Sequence, residues 1–205
     1  MPLEPPNVPF PSGRPYWYWL GGRPALDLVN TKRERWRHDI ECLRSPDDLS
    51  EWLRRAKLTS GPAVTGDEDL ARALELREAI DAGVRAAVGR EPLAAEPLAV
   101  IDAWLEHALT RPSLIPDGDG APALVTLPAR DPIAAALGAV ALDAARLLGR
   151  ADERARLRIC GSDTCSARFF DRSPAARRRW CSMAGCGNHI KMRRAYAARK
   201  AALRG

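Results

Sequence analysis

Apolar side chains recur at helical spacing through most of the chain. Leu49, Trp52, Leu53 and Ala56 fall at i, i+3, i+4 and i+7 behind Ser45-Pro46-Asp47-Asp48, which predicts a helix with Ser45 as N-cap and Pro46 at its first position. Gly61-Pro62 closes that region. Asp67 opens a second helix to about Val88, with Leu70, Ala73, Leu74, Arg77 and Ile80 along its stripe. Pro92 and Pro97 interrupt, and a third helix is expected over 98–109. Asp131-Pro132 starts an Ala-rich helix to about Leu148, with Gly149 as its stop. Near the beginning, Tyr16–Leu20 reads as a short strand or docking segment, and Gly21-Gly22 breaks it. Ala25–Arg35 again has helical spacing through Leu26, Leu28 and Val29. The period changes over 111–128, where Ser113–Ile115 and Ala123–Leu127 flank an Asp-Gly turn and predict a β-hairpin.

A different pattern begins near 151. Cys160 and Cys165 are spaced C-x4-C, and Cys181 and Cys186 repeat that spacing. Two close pairs let two short loops each supply two corners of a tetrahedral Zn2+ site, and four thiolates leave no open position for catalysis. Two disulfides would use the same residues, but a chain with no secretory leader is expected in the reducing cytoplasm. Leu157–Ile159 leads into the first cysteine loop. Ala167–Phe170 and Arg178–Trp180 are expected to pair across Ser173-Pro174, and the second cysteine pair enters a helix to about Leu203. Knuckle, hairpin, then ligands at a helix start is the treble-clef order. Phe169, Phe170 and Trp180 form the expected small core, which needs its metal to persist. His189 lies close enough to Cys186 to serve as a substitute ligand, though four cysteines already complete the set.

Charge sharpens the division. The net charge is +6 overall. Residues 151–205 carry 14 Lys and Arg against 4 Asp and Glu, and the remainder carries 18 against 22. Even with two negative charges left on a zinc tetrathiolate, the C-terminal part stays basic, as a phosphate-binding surface should be. The candidates for nucleic-acid contact are Arg172, Arg177, Arg178 and Arg179 before the second cysteine pair, and Lys191, Arg193, Arg194, Arg199 and Lys200 after it. A 3.6-residue period is taken to place Arg193, Arg194 and Lys200 near one face, with Lys191 beside it. No stretch reaches the roughly 18 apolar residues of a membrane span. The Pro-rich segment 1–15 predicts disorder.

The block from Cys160 to Arg204 resembles the CGNR zinc finger of bacterial proteins, through Phe169, Asp171, Ser173, Trp180, Cys181, Ser182, Met183, Cys186, Gly187 and Asn188. His189 stands where that signature has Arg, which implies a weakened or pH-dependent contact if the Arg meets phosphate. Gly21–Thr31, reading GGRPALDLVNT, and Ser45–Leu58 resemble the ABATE domain that accompanies this finger. The resemblance implies a stress-induced transcription regulator.

The expected fold is mainly α with a small β-hairpin in the N-terminal domain, followed by a C-terminal treble-clef-like zinc finger. The expected domains are 1–15 as a disordered segment, 16–150 as the ABATE-like domain, and 151–205 as the finger with its basic helix. The expected cofactor is one structural Zn2+. The expected partner is double-stranded DNA, with an unidentified small-molecule effector sensed by the N-terminal domain. Rival readings are a small-molecule-binding or enzymatic N-terminal domain stapled by a structural finger, and an RNA- or protein-interaction module. No Ser/His/Asp signature, Gly-rich phosphate loop or HExxH appears, so no enzyme is expected. Asp27 and Asn30 are candidates for lining a ligand pocket, although local bonds to backbone explain them equally. Cys42 reads as a small buried hydrophobe, and His38 and His107 as satisfied histidines.

Overall fold

The computed structural model describes residues 17–61, 63–108, 111–127 and 131–202. The expected disordered segment 1–15, Tyr16, Pro62, Leu109 and Leu203 lie outside them.

The Ser45 hydroxyl accepts the Asp48 amide at 3.2 Å, Pro46 occupies the first turn, and α2 follows as Pro46–Arg55. Acidic Asp47 and Asp48 at its start and Arg54 and Arg55 at its end complement the helix dipole. α3 (Asp67–Gly89) and α5 (Pro132–Gly149) are the two long helices, and Asp131 caps α5 by accepting from Ile133 and Ala134 at 2.9 Å. Between them lie α4 (Ala95–Ala103) and a 3-10 turn at Leu105–Ala108, so the single helix expected over 98–109 starts earlier and is broken at Trp104. The turn crosses α5 at Gly138, where a Cβ would lie 2.7 Å from the Ala108 nitrogen, so only glycine permits this approach. The predicted hairpin is present as β3 (Arg111–Pro116) and β4 (Pro122–Leu127), antiparallel, with Ser113 opposite Val125.

Two expectations fail locally. The helix expected over Ala25–Arg35 is only α1 (Pro24–Val29). Thr31 folds its hydroxyl back onto the Leu28 carbonyl at 2.7 Å, and the chain leaves as β1 (Lys32–Arg33), paired antiparallel with β2 (Ile40–Glu41). The cysteine-rich part does not pair Ala167–Phe170 with Arg178–Trp180. After the short α6 (Ala151–Arg154), β5 (Leu157–Ile159) pairs with β6 (Arg168–Phe170), with Arg158 opposite Phe169. The segment at 178–180 instead accepts the Gly161 amide at the Arg179 carbonyl, at 2.8 Å.

The main core gathers α1, α2, α3 and α5 around Leu26, Leu28, Leu49, Trp52, Leu76, Ile80 and Leu137. Trp17 is buried and Trp19 stacks on Trp52 at 5.9 Å, so the aromatic opening is a docking segment. Cys42 is fully buried in the same core, and burial raises its thiol to a pKa of about 11. Contrary to expectation, one helix among the described residues is, by length and composition alone, long and apolar enough to cross a membrane. It is α5, with mean hydropathy 1.5, and its buried face packs within the core against α1, α3 and α4.

Candidate functional site

The first knuckle forms between β5 and β6. The Cys160 amide donates to the Ala167 carbonyl at 2.9 Å, and the Ala167 amide points at the Cys165 sulfur at 3.5 Å. The second knuckle is a π-turn at Met183–Gly187, tied by the Ser182 hydroxyl accepting the Gly185 amide at 3.1 Å, and it runs directly into α7 (Asn188–Ala202). These loops bring Cys160, Cys165, Cys181 and Cys186 together with all four sulfurs within 4.8 Å of one another. A tetrahedron of thiolates about 2.3 Å from zinc has edges of about 3.8 Å. Sulfur separations of 3.8 Å for Cys165 to Cys181 and 3.7 Å for Cys181 to Cys186 fit it. The residues present hold one structural zinc ion, which fixes the start of α7. His189 is exposed and lies outside the cluster.

Asp171 organises the segment between the knuckles. Fully buried, it accepts from the Ser173 amide at 3.0 Å, the Ser173 hydroxyl at 2.6 Å and the Arg178 amide at 2.7 Å. Burial alone would raise its carboxyl, but these bonds outweigh burial and hold it below the ordinary range. Phe169 is buried against Cys160, Ala167 and Cys181, with Trp180 at its edge. Phe170 turns the other way and packs on the main core.

The finger is therefore welded to the N-terminal half. Asn30 pairs with the Arg168 backbone as a strand neighbour would, its amide nitrogen donating to the carbonyl at 2.9 Å and its oxygen accepting the N–H at 2.8 Å. The Phe170 amide donates to the Gly21 carbonyl at 2.9 Å. Arg168 donates to Asp81 of α3 at 2.6 Å, with both side chains buried. Burial works against the Arg168 charge and lowers its pKa, while Asp81 opposes that shift. Neither partner was singled out in the sequence. The available signal was a carboxylate at 81, one turn beyond Arg77, on the buried side of α3.

The candidate cations separate by position. Arg178 is half-buried, donating to the Cys181 carbonyl at 2.7 Å and lying over Phe169, so its head is engaged within the finger. Arg172 bonds the Gly22 carbonyl. Arg177 and Arg179 are exposed, the latter over the Trp180 ring. Lys191, Arg193, Arg199 and Lys200 are exposed along α7, and Arg193 pairs with Asp163 at 2.7 Å. The Arg194 side chain lies outside the described ones. Helical period sets Arg193 and Lys200 on one side, with His189, Met192, Tyr196 and Arg199, and turns positions 191 and 194 away from it.

Asp27 and Asn30 do not form a shared pocket. Asp27 accepts the Gly21 amide at 2.8 Å, and burial raises its carboxyl to a pKa of about 7. Asn30 lines a cleft of about 320 Å3 between the two halves, together with Tyr18, Arg33, Thr164 and His189, and Cys165, Cys181 and Cys186 form one wall.

A helical N-terminal half closed onto a four-thiolate cage, with a basic helix following the second cysteine pair, defines a zinc-finger protein. Residues 22–151 match the ABATE family, described as "Putative stress-induced transcription regulator", and residues 156–200 match the CGNR zinc finger. The chain belongs to the ABATE family. A search of curated proteins returned no match.

Proposed function

We propose that the protein is a transcription regulator that binds double-stranded DNA through α7 and the exposed arginines of the finger. The observation that carries this reading is the zinc-fixed helix start followed by a face bearing Arg193, Arg199 and Lys200 around exposed Met192 and Tyr196. Cations interleaved with exposed apolar and aromatic groups suit a phosphate-lined groove, where arginine addresses phosphate or a guanine edge. The excess of positive charge over 151–205 supports long-range attraction to the same polymer. On this reading the protein works in the cytoplasm and is not an enzyme. The N-terminal half receives the signal, and the cleft beside the thiolates is where a small molecule would touch both halves. The test is a titration of DNA duplex and of RNA against salt. DNA binding should weaken steeply as salt rises, because bound phosphates release counterions. Arg199→Ala with Lys200→Ala should flatten that dependence by about two units with zinc retained. No binding of duplex at low salt sinks the reading, and preference for RNA moves it to the rival class.

A further inference from the structure

Asp163 sits where the two halves meet beside α7. Both of its carboxylate oxygens accept from Nη1 of Arg193 at 2.7 Å, and its carbonyl accepts the Trp36 indole N–H at 3.3 Å. The carboxyl is held below the ordinary range by the Arg193 bond, with the Arg37 charge a lesser contributor. Trp36 and Arg37 belong to the loop between β1 and β2, in the N-terminal half.

That loop is preorganised. Glu34 and Asp39 take positive φ of 47° and 51°, and the amides of Arg37 and Asp39 both donate to the Glu34 carbonyl, at 2.8 and 3.1 Å. The indole is held from below as well, with the Arg168 guanidinium 5.7 Å from the ring centroid. Yet Trp36 remains 49% exposed. Arg37 is exposed and makes no salt bridge among the described residues. An exposed cation and a half-exposed indole are thus presented by one loop near Asp163, the residue that Arg193 of α7 also meets.

We infer that this loop is a second DNA-contact element: Arg37 takes a backbone phosphate next to the one met by α7, and the open edge of Trp36 packs on the adjoining sugar. Phosphates along a duplex are closely spaced, so Arg37 and the cations of α7 can each find one. The indole adds an apolar surface to a contact that charge alone would leave without register. The inference rests on the proposed role of α7. It assigns DNA contact to the N-terminal half, so the footprint is shared between both halves.

The experiment uses the full chain and a DNA duplex, with affinity measured across a salt series. Arg37→Ala should weaken binding about fivefold and reduce the salt slope by about one unit. Trp36→Ala should weaken binding about tenfold with the slope unchanged, as loss of an aromatic contact does. Because Trp36 also touches Asp163 and Arg168, its variant is read beside zinc content and circular dichroism, and exposed Arg37→Ala carries the test if Trp36→Ala disturbs the fold. Arg54→Ala is the charge control, since its guanidinium is tied to Glu51 at 2.8 Å. An equal loss in Arg54→Ala would reduce the effect to net charge and overturn the inference. Unchanged affinity and slope in Arg37→Ala, while Arg199→Ala with Lys200→Ala still loses binding, overturns it and leaves the finger reading intact. A wild-type chain that binds no duplex removes the reading itself.

Discussion

Asp81 and Arg168 meet at 2.6 Å with both side chains buried, but their other partners are unequal. Asp81 also has Arg85 at 3.2 Å and Arg35 at 3.6 Å, whereas Arg168 keeps, among the described residues, only the Ser166 carbonyl and the Trp36 face. Removing one member of a buried pair costs most when the other is stranded. Asp81→Asn should therefore destabilise by about 3 kcal/mol, and Arg168→Met by about 1 kcal/mol, as chemical denaturation would measure. Asp27 carries a second prediction. Its folded pKa of about 7 lies above the ordinary 3.8, so the folded state binds the extra proton between those values. Its contribution is complete below about pH 4 and is lost as pH rises through about 7, amounting to about 4 kcal/mol. Asp27→Asn keeps the acceptor for the Gly21 amide and removes the titration, so melts between pH 5 and 8 should flatten. The cysteines were legible in the sequence because spacing alone specifies a tetrahedral set. Asp81 and Arg168 were not, because nothing local in a sequence shows that two distant charges share one dry site.

At the scale of elements, periodicity located α2, α3, α5 and the β3–β4 hairpin, because each has a local cap or turn that agrees with its stripe. It overran α1, where Thr31 and β1 end a helix for reasons of pairing with β2. It also mispaired the finger strand, since β6 has short partners on both sides and only the tertiary fit to Gly21 and Asn30 decides between them. The zinc prediction follows from the corrected pairing. Leu157 is buried in the main core and Phe170 packs against it, so β5–β6 belongs to the larger body. Cys160→Ser or Cys186→Ser should lose the metal and melt α7 with its knuckles, while α1 to α5 stay helical at a lowered midpoint. Metal analysis with circular dichroism checks this, and full zinc occupancy in both variants would refute the ligand set. The β3–β4 hairpin makes the opposite case. Leu114 and Leu124 are 68% and 75% exposed, and an isolated two-stranded ribbon is marginal by itself. Its amides should exchange with solvent deuterium well before those of α5 in a hydrogen-exchange time course.

At the scale of the whole molecule, the sequence divides by charge while the structure joins what charge divides. Basic residues gather after 151, and from composition the finger looks like a detachable appendage. The contacts say otherwise, because Asn30 extends the finger's own hydrogen bonding and Asp81 neutralises a cation the finger buries. The same joining should appear in unfolding as one transition for metal-loaded protein, read identically by near- and far-ultraviolet dichroism. A separate early loss of the finger would contradict it. Asn30 has a further consequence for anyone who would recombine these parts. A transplant of residues 156–200 onto a foreign scaffold would carry the metal cage intact and leave the Arg168 backbone and guanidinium facing water or an unprepared surface. Portability would then require donor and host to agree at two positions that lie outside the finger altogether, so the smallest piece that can be moved intact includes both halves.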